Sequence, residues 1–143
     1  MAAPLGFDHS PFMRFLGLQL VRAEKGRVEI RLPFREEFLR SDGSDWLHGG
    51  VVSSLADIVG DYAVITETGA GVPTIDLRVD YLRPARRGDL VAVGRTLRVG
   101  RTVSVADVEV RDAAGMVVAV GRAVYASPQP EGVKPAPAGP GQP

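Results

Sequence analysis

His48-Gly49-Gly50-Val51-Val52-Ser53-Ser54-Leu55-Ala56-Asp57 sets a pair of glycines at a helix start and a single carboxylate further along it. The glycines allow close backbone approach, and the free N–H groups of a first helical turn are a ready site for a developing oxyanion. Asp57 supplies a base or a nucleophile. Continued at 100° per residue, 49–67 reads as one helix, with Val51, Val52, Leu55, Ile58, Val59, Tyr62 and Ile65 on an arc of roughly 140° that should pack on a sheet. The opposite side carries Ser53, Ala56, Asp57, Gly60, Ala63 and Val64, and the whole segment lacks Lys and Arg. Such a face points to close approach by another backbone. Gly69 and Gly71 mark the helix end and the turn beyond it.

Upstream, Ser10 and Pro11 suit the N-cap and first position of a short helix over 10–16, with Phe12, Phe15 and Leu16 facing inward. Alternating apolar residues over 18–22 and 27–32 flank Lys25-Gly26 and predict a hairpin that Pro33 ends. The stretch 34–47, with Ser41, Asp42, Gly43, Ser44 and Asp45, reads as a loop.

Downstream, period two puts Ile75, Leu77, Val79 and Tyr81 on one face of a strand and Thr74, Asp76, Arg78 and Asp80 on the other. A basic turn over 84–89 leads into strands over 90–99, 102–111 and 116–125, joined at Gly100-Arg101 and at 113–115. Val103 and Val105 are out of phase with Val108 and Val110, which predicts a bulge near Ala106 and Asp107. The order is strand, strand, long helix, then four antiparallel strands. A single six-stranded antiparallel sheet covered on one face by one helix satisfies it, an α+β domain over 1–126. Residues 127–143, with six prolines, are expected to form a disordered tail.

Composition narrows the chemistry. The 143 residues fit one domain, short for a site enclosed by a single subunit, so oligomerisation is expected. Seventeen basic residues balance seventeen acidic ones, which gives no support to a nucleic-acid or membrane-surface partner. With no cysteine and only His9 and His48, thiolate chemistry is excluded and no metal is expected. No stretch has the 18 or more apolar residues of a membrane span, and the N-terminus lacks a signal-peptide core, so a cytoplasmic location is the expectation.

The element order, HGGVVSSLAD at 48–57 and TIDLRVDYLRPARRGD at 74–89 together resemble the hotdog-fold acyl-CoA thioesterases of the PaaI-like, or 4-hydroxybenzoyl-CoA thioesterase, group. The resemblance covers 10–126 and implies a sheet wrapped around the central helix. It also implies that two copies pair side by side with the site between them, as a dimer or a dimer of dimers. On this resemblance the Gly49 amide polarises the thioester carbonyl and Asp57 of the other subunit is general base or nucleophile. Thr74 orients the attacking water, and His48 orients the glycine turn or contacts the thioester. Asp42 stands where the family often has Asn, which helps hold the thioester, so it lacks that amide donor. Gly50 joins the backbone contact, and Arg83, Arg86, Arg87 and Arg101 are positioned to meet the phosphates of coenzyme A. The substrate is an acyl-CoA, and hydrolysis needs no cofactor. Two other readings remain: an acyl-CoA binding or sensing module, which would tolerate loss of Asp57, and a hotdog hydratase or dehydratase, which would want a histidine base. Trp46 lines an acyl pocket or anchors its loop.

Overall fold

A computed structural model gives the structure and describes residues 5–128. The elements run α1 (Pro11–Leu16), β1 (Gln19–Glu24), β2 (Arg27–Leu32), a 3-10 turn (Glu36–Phe38), α2 (Gly49–Thr68), β3 (Thr74–Tyr81), β4 (Leu90–Val99), β5 (Val103–Arg111) and β6 (Val117–Ala126). The six strands make one antiparallel sheet in the order β1-β2-β4-β5-β6-β3. β3 therefore leaves α2 at one edge, beside β6, and the chain crosses to the other half before the β4-β5-β6 meander begins.

α2 is rich in Val, Ser and Gly, which are indifferent helix formers, so its 20 residues depend on caps and on burial. The His48 ring caps the start by accepting from the Gly50 N–H at 2.8 Å. Gly69, left-handed at φ 77°, closes the end with its N–H on the Ile65 carbonyl. Val52, Leu55, Ile58, Val59 and Tyr62 are buried against Val28, Ile30, Leu90, Ala92, Val108 and Val118 of the sheet. The helix lies so near β4 that a Cβ on Gly94 would stand 2.5 Å from the Val59 carbonyl oxygen.

The small residues of α2 turn out to serve the chain's own sheet. Ala56, Ala63 and Val64 are fully covered, and Gly60 sits beneath the Tyr125 ring, where a Cβ would come within 2.4 Å of the Tyr125 hydroxyl. That hydroxyl donates to the Asp57 carbonyl at 2.6 Å. What α2 leaves partly open is a narrower stripe of Gly50, Ser53, Ser54, Asp57 and Asp61.

Four local expectations change. Phe12 and Phe15 are half exposed, 52% and 48%, and of the short helix only Leu16 is buried, because six residues cannot turn three bulky groups onto one small contact. The bulge lies on β4, where Leu97 is the extra residue opposite Val105 and Ala106, with another register shift at Val110/Arg111. Ser104, Ala106, Val108 and Val110 then keep an unbroken inward alternation, and Val103 and Val105 simply face out. A second bulge, at Ile75, brings Thr74 onto the helix side of β3 instead of the face it would share with Asp76. Ser127 is 5% exposed and bonded to Ser104 and to the Thr102 carbonyl, so the domain runs past 126; the remainder of the proposed tail, 129–143, lies outside the described residues.

Candidate active site

The bulge at Ile75 has a direct chemical result: the Thr74 hydroxyl donates to Asp57 Oδ1 at 2.7 Å. One oxygen of the carboxylate is thereby oriented, and the half-exposed group remains reachable from solvent. Behind it stands the buried Tyr125, whose hydroxyl burial and the Asp57 charge hold in the protonated form. Tyr125 was not singled out by sequence, since a tyrosine in an alternating strand carries no mark of what it will touch.

At the other end of the stripe, His48 Nδ1 is the acceptor for the Gly50 N–H, so the cap uses a ring nitrogen that a base would need free. Gly50 spends its own N–H there. The Gly49 N–H, first of the helix, has no acceptor among the described residues. Tyr81 closes over this glycine and donates to its carbonyl at 3.1 Å. A groove of about 380 Å³ runs beside Gly49 between Tyr81, Leu82, Arg83 and Val118. On the other flank, Phe12, Phe15, Leu16, Phe38 and Val51 line a slot of about 250 Å³ that ends at His48, Gly50 and Ser54. Its wall is fixed by an edge-on contact of Phe15 with Phe38, and Arg35 lies over both rings.

The remaining sequence-derived residues divide. Asp42 lies at the exposed tip of a loop whose base is the Leu39–Leu47 bridge next to the helix start. Arg83 borders the groove at Gly49. Arg86 is exposed, and its backbone pairs with Trp46, which is itself stacked under Arg40 and 41% exposed; that anchors the 39–47 loop. Arg87 donates to Glu36 through its two terminal guanidinium nitrogens and packs on Phe34, so it is committed to holding the loop. Arg101 sits exposed on the β4–β5 turn, near the Thr74 end of β3, where Ser127 bonds Thr102 and Ala126 bonds Pro73.

Asp61 lies one turn past Asp57 on α2. Its Oδ1 is buried with no hydrogen-bond partner among the described residues. Burial pushes the carboxyl up to about 6, the Val72 amide opposes the rise, and the Asp57 charge adds to it. Because the folded value lies above the usual 3.8, the native state binds more protons between those values, and the contribution of Asp61 to stability falls as pH rises through about 6. Asp61→Asn should therefore raise the unfolding free energy at pH 7.5 by up to about 2 kcal/mol and leave it nearly unchanged at pH 4, as read by urea melts at the two pH values.

Among the described residues no group of three His, Asp or Glu could hold a metal ion. No helix of the described residues is long and apolar enough to cross a membrane.

A six-stranded antiparallel sheet wrapped on one long helix defines the hotdog fold. Residues 46–119 match the family model of the thioesterase superfamily. The chain is 33% identical to a medium/long-chain acyl-CoA thioesterase of Salmonella typhimurium over 82% of its length and 85% of the relative's. It is 34% identical to acyl-coenzyme A thioesterase 13 of Homo sapiens, over 78% of this chain and 81% of that one. A crystal structure of a thioesterase-superfamily protein, 40% identical, superposes with a TM-score of 0.81 over 84% of this chain and 91% of that chain. The chain belongs to the thioesterase superfamily and is a hotdog-fold thioester hydrolase.

Proposed function

We propose that the protein hydrolyses acyl-CoA thioesters at a site built by two copies, with Asp57 of one copy as base or nucleophile and the Gly49 amide of the other as oxyanion donor. The observation that carries this is a separation. Asp57 and Gly49 are eight residues apart on one rigid helix, about 12 Å along its axis, too far to act on one carbonyl. Thr74 and Tyr81, which support them, stand at opposite ends of β3, roughly 23 Å apart. β3 is also a sheet edge with unpaired backbone groups and outward side chains such as Ile75, 58% exposed, and Tyr81, 54% exposed. An antiparallel pairing of two β3 edges brings the Thr74 end of one copy to the Tyr81 end of the other, and so Asp57 toward a partner Gly49. It also gathers Arg101 of one copy and Arg83 of the other at a common end, where the phosphates of coenzyme A would lie. A two-fold axis makes two such sites per dimer.

In hydrolysis the water oxygen bonds to the acyl carbon, Asp57 takes a water proton, and the carbonyl charge develops against the Gly49 N–H. The carbon–sulfur bond then breaks and the proton passes to the departing thiolate, leaving a carboxylic acid and CoA. Attack by Asp57 itself, through an anhydride that water opens, uses the same groups. A hydratase would need His48 as its base, and the cap bond from Gly50 occupies Nδ1 of that ring.

The acyl group fits the slot between α1 and the helix start, whose walls are phenylalanine, leucine and valine. The names of the bacterial relatives, medium/long-chain acyl-CoA thioesterases, agree with an apolar chain. Thiol release measured on acetyl-, hexanoyl-, decanoyl-, palmitoyl-, benzoyl- and phenylacetyl-CoA should show turnover that rises with apolar size. No release from any of these esters would overturn the reading. Phe15→Ala removes part of the slot wall, and losing that contact should cost about 1 kcal/mol, or roughly fivefold in kcat/KM for decanoyl-CoA, with acetyl-CoA little changed.

A further inference from the structure

The mechanism above makes no use of Asp61, although it lies one helical turn from Asp57 on the same open stripe of α2. The two acids differ in surroundings. Asp57 has the Thr74 hydroxyl on one oxygen and access to solvent. Asp61 is turned under the α2–β3 connection, where the Val72 amide favours its ionised form and its Oδ1 meets no partner. The other titratable groups near it are Tyr62, the next residue of α2, and the Tyr125 hydroxyl of β6, while β5 and β3 bring Ala106 and Leu77 to the cluster around Tyr125. No cation pairs with Asp61 among the described residues.

We propose that Asp61 is a positioning residue that acts through Asp57: its carboxyl, buried one turn behind the base with Oδ1 unpartnered among the described residues, sets by its own charge the field in which the Thr74-bound carboxylate works. Two like charges one turn apart resist being ionised together, and the shared proton settles on the more desolvated member. Burial and the Asp57 charge raise Asp61 in the same sense. When Asp61 is ionised, its negative charge assists transfer of the water proton at the neighbouring site; when Asp61 is protonated, that assistance is absent. The inference rests on Asp57 being the base of the proposed function.

The test is the pH dependence of kcat/KM for the wild type and Asp61→Asn, whose amide copies the protonated acid. The wild type should show a step near pH 6, below which activity settles about threefold lower. Asp61→Asn should lie on the lower level at pH 8, lack the step, and merge with the wild type below pH 5. Parallel curves from pH 5 to 8 would overturn the proposal. A second readout needs no activity: in protein labelled with carboxyl-13C aspartate, one resonance should titrate near pH 6, vanish in Asp61→Asn, and move to lower pH in Asp57→Asn. A resonance that Asp57→Asn leaves in place removes the coupling, and with hydrolysis intact it sinks this inference alone. Absence of hydrolysis in the wild type sinks the proposed function instead.

Discussion

Asp57→Asn should lower kcat/KM by about a thousandfold or more while acyl-CoA still binds, because the amide keeps the size of the carboxylate and can still accept from Thr74 yet takes no proton. Thiol release and equilibrium binding, measured on the same preparation, separate these two effects. The partner change is at the helix start. Gly49 is the first helical residue, His48 before it is extended at ψ 135°, and both conditions admit proline. Gly49→Pro thus removes one N–H and keeps the helix, and it too should abolish turnover. The pair then tests the two-chain site directly. Unfolding the two inactive variants together and refolding them gives mixed dimers in which one site has Gly49 from one chain and Asp57 from the other, both intact. Activity should return to about a quarter of wild type, half the dimers having one working site of two. No recovery from the mixture would place both groups in one chain and end the shared-site reading.

How much of this was open to reading depended on distance along the chain. The helix, its glycine start and its Gly69 end follow from local periodicity and capping, and they appear within a residue of where the sequence put them. Asp57 on the open stripe follows as well. Thr74 was identified, but on the wrong face of its strand, because alternation is blind to the one extra residue at Ile75 that reverses it. The same limit moved the β4 bulge: Val103 and Val105 broke the apolar phase of β5, while the irregularity lay in the neighbouring strand at Leu97. The small residues of α2 signalled close approach, and the tertiary structure shows that at Gly60 the approaching group is the Tyr125 side chain of the same chain. Asp61 is hidden from the sequence for a related reason. Its carboxyl lies against the Val72 amide, eleven residues on, and nothing in its own neighbours records that.

The close packing of α2 on β4 sets up a large stability effect. A methyl on Gly94 would stand 2.5 Å from the Val59 carbonyl oxygen and 2.9 Å from its carbon. Neither atom can swing aside, since both belong to the backbone of a helix whose Val59 side chain is fully buried. Relief requires the helix to lift from the sheet, which loosens Leu55, Ile58 and Tyr62 together. Gly94→Ala should therefore destabilise by at least about 3 kcal/mol, at the upper end for overpacked cores. Urea melts at fixed protein concentration would show it as a lower midpoint with unchanged slope. Gly71→Ala is the matched control: its added methyl meets only Ile65 Cδ1 at 3.8 Å and its φ is not positive, so it should be neutral or stabilise by a few tenths of a kcal/mol through the unfolded chain. Equal, small effects at both positions would mean that the helix rests less closely on the sheet than these distances require, and that Asp57 and Gly49 are held less rigidly apart than a site shared by two chains demands.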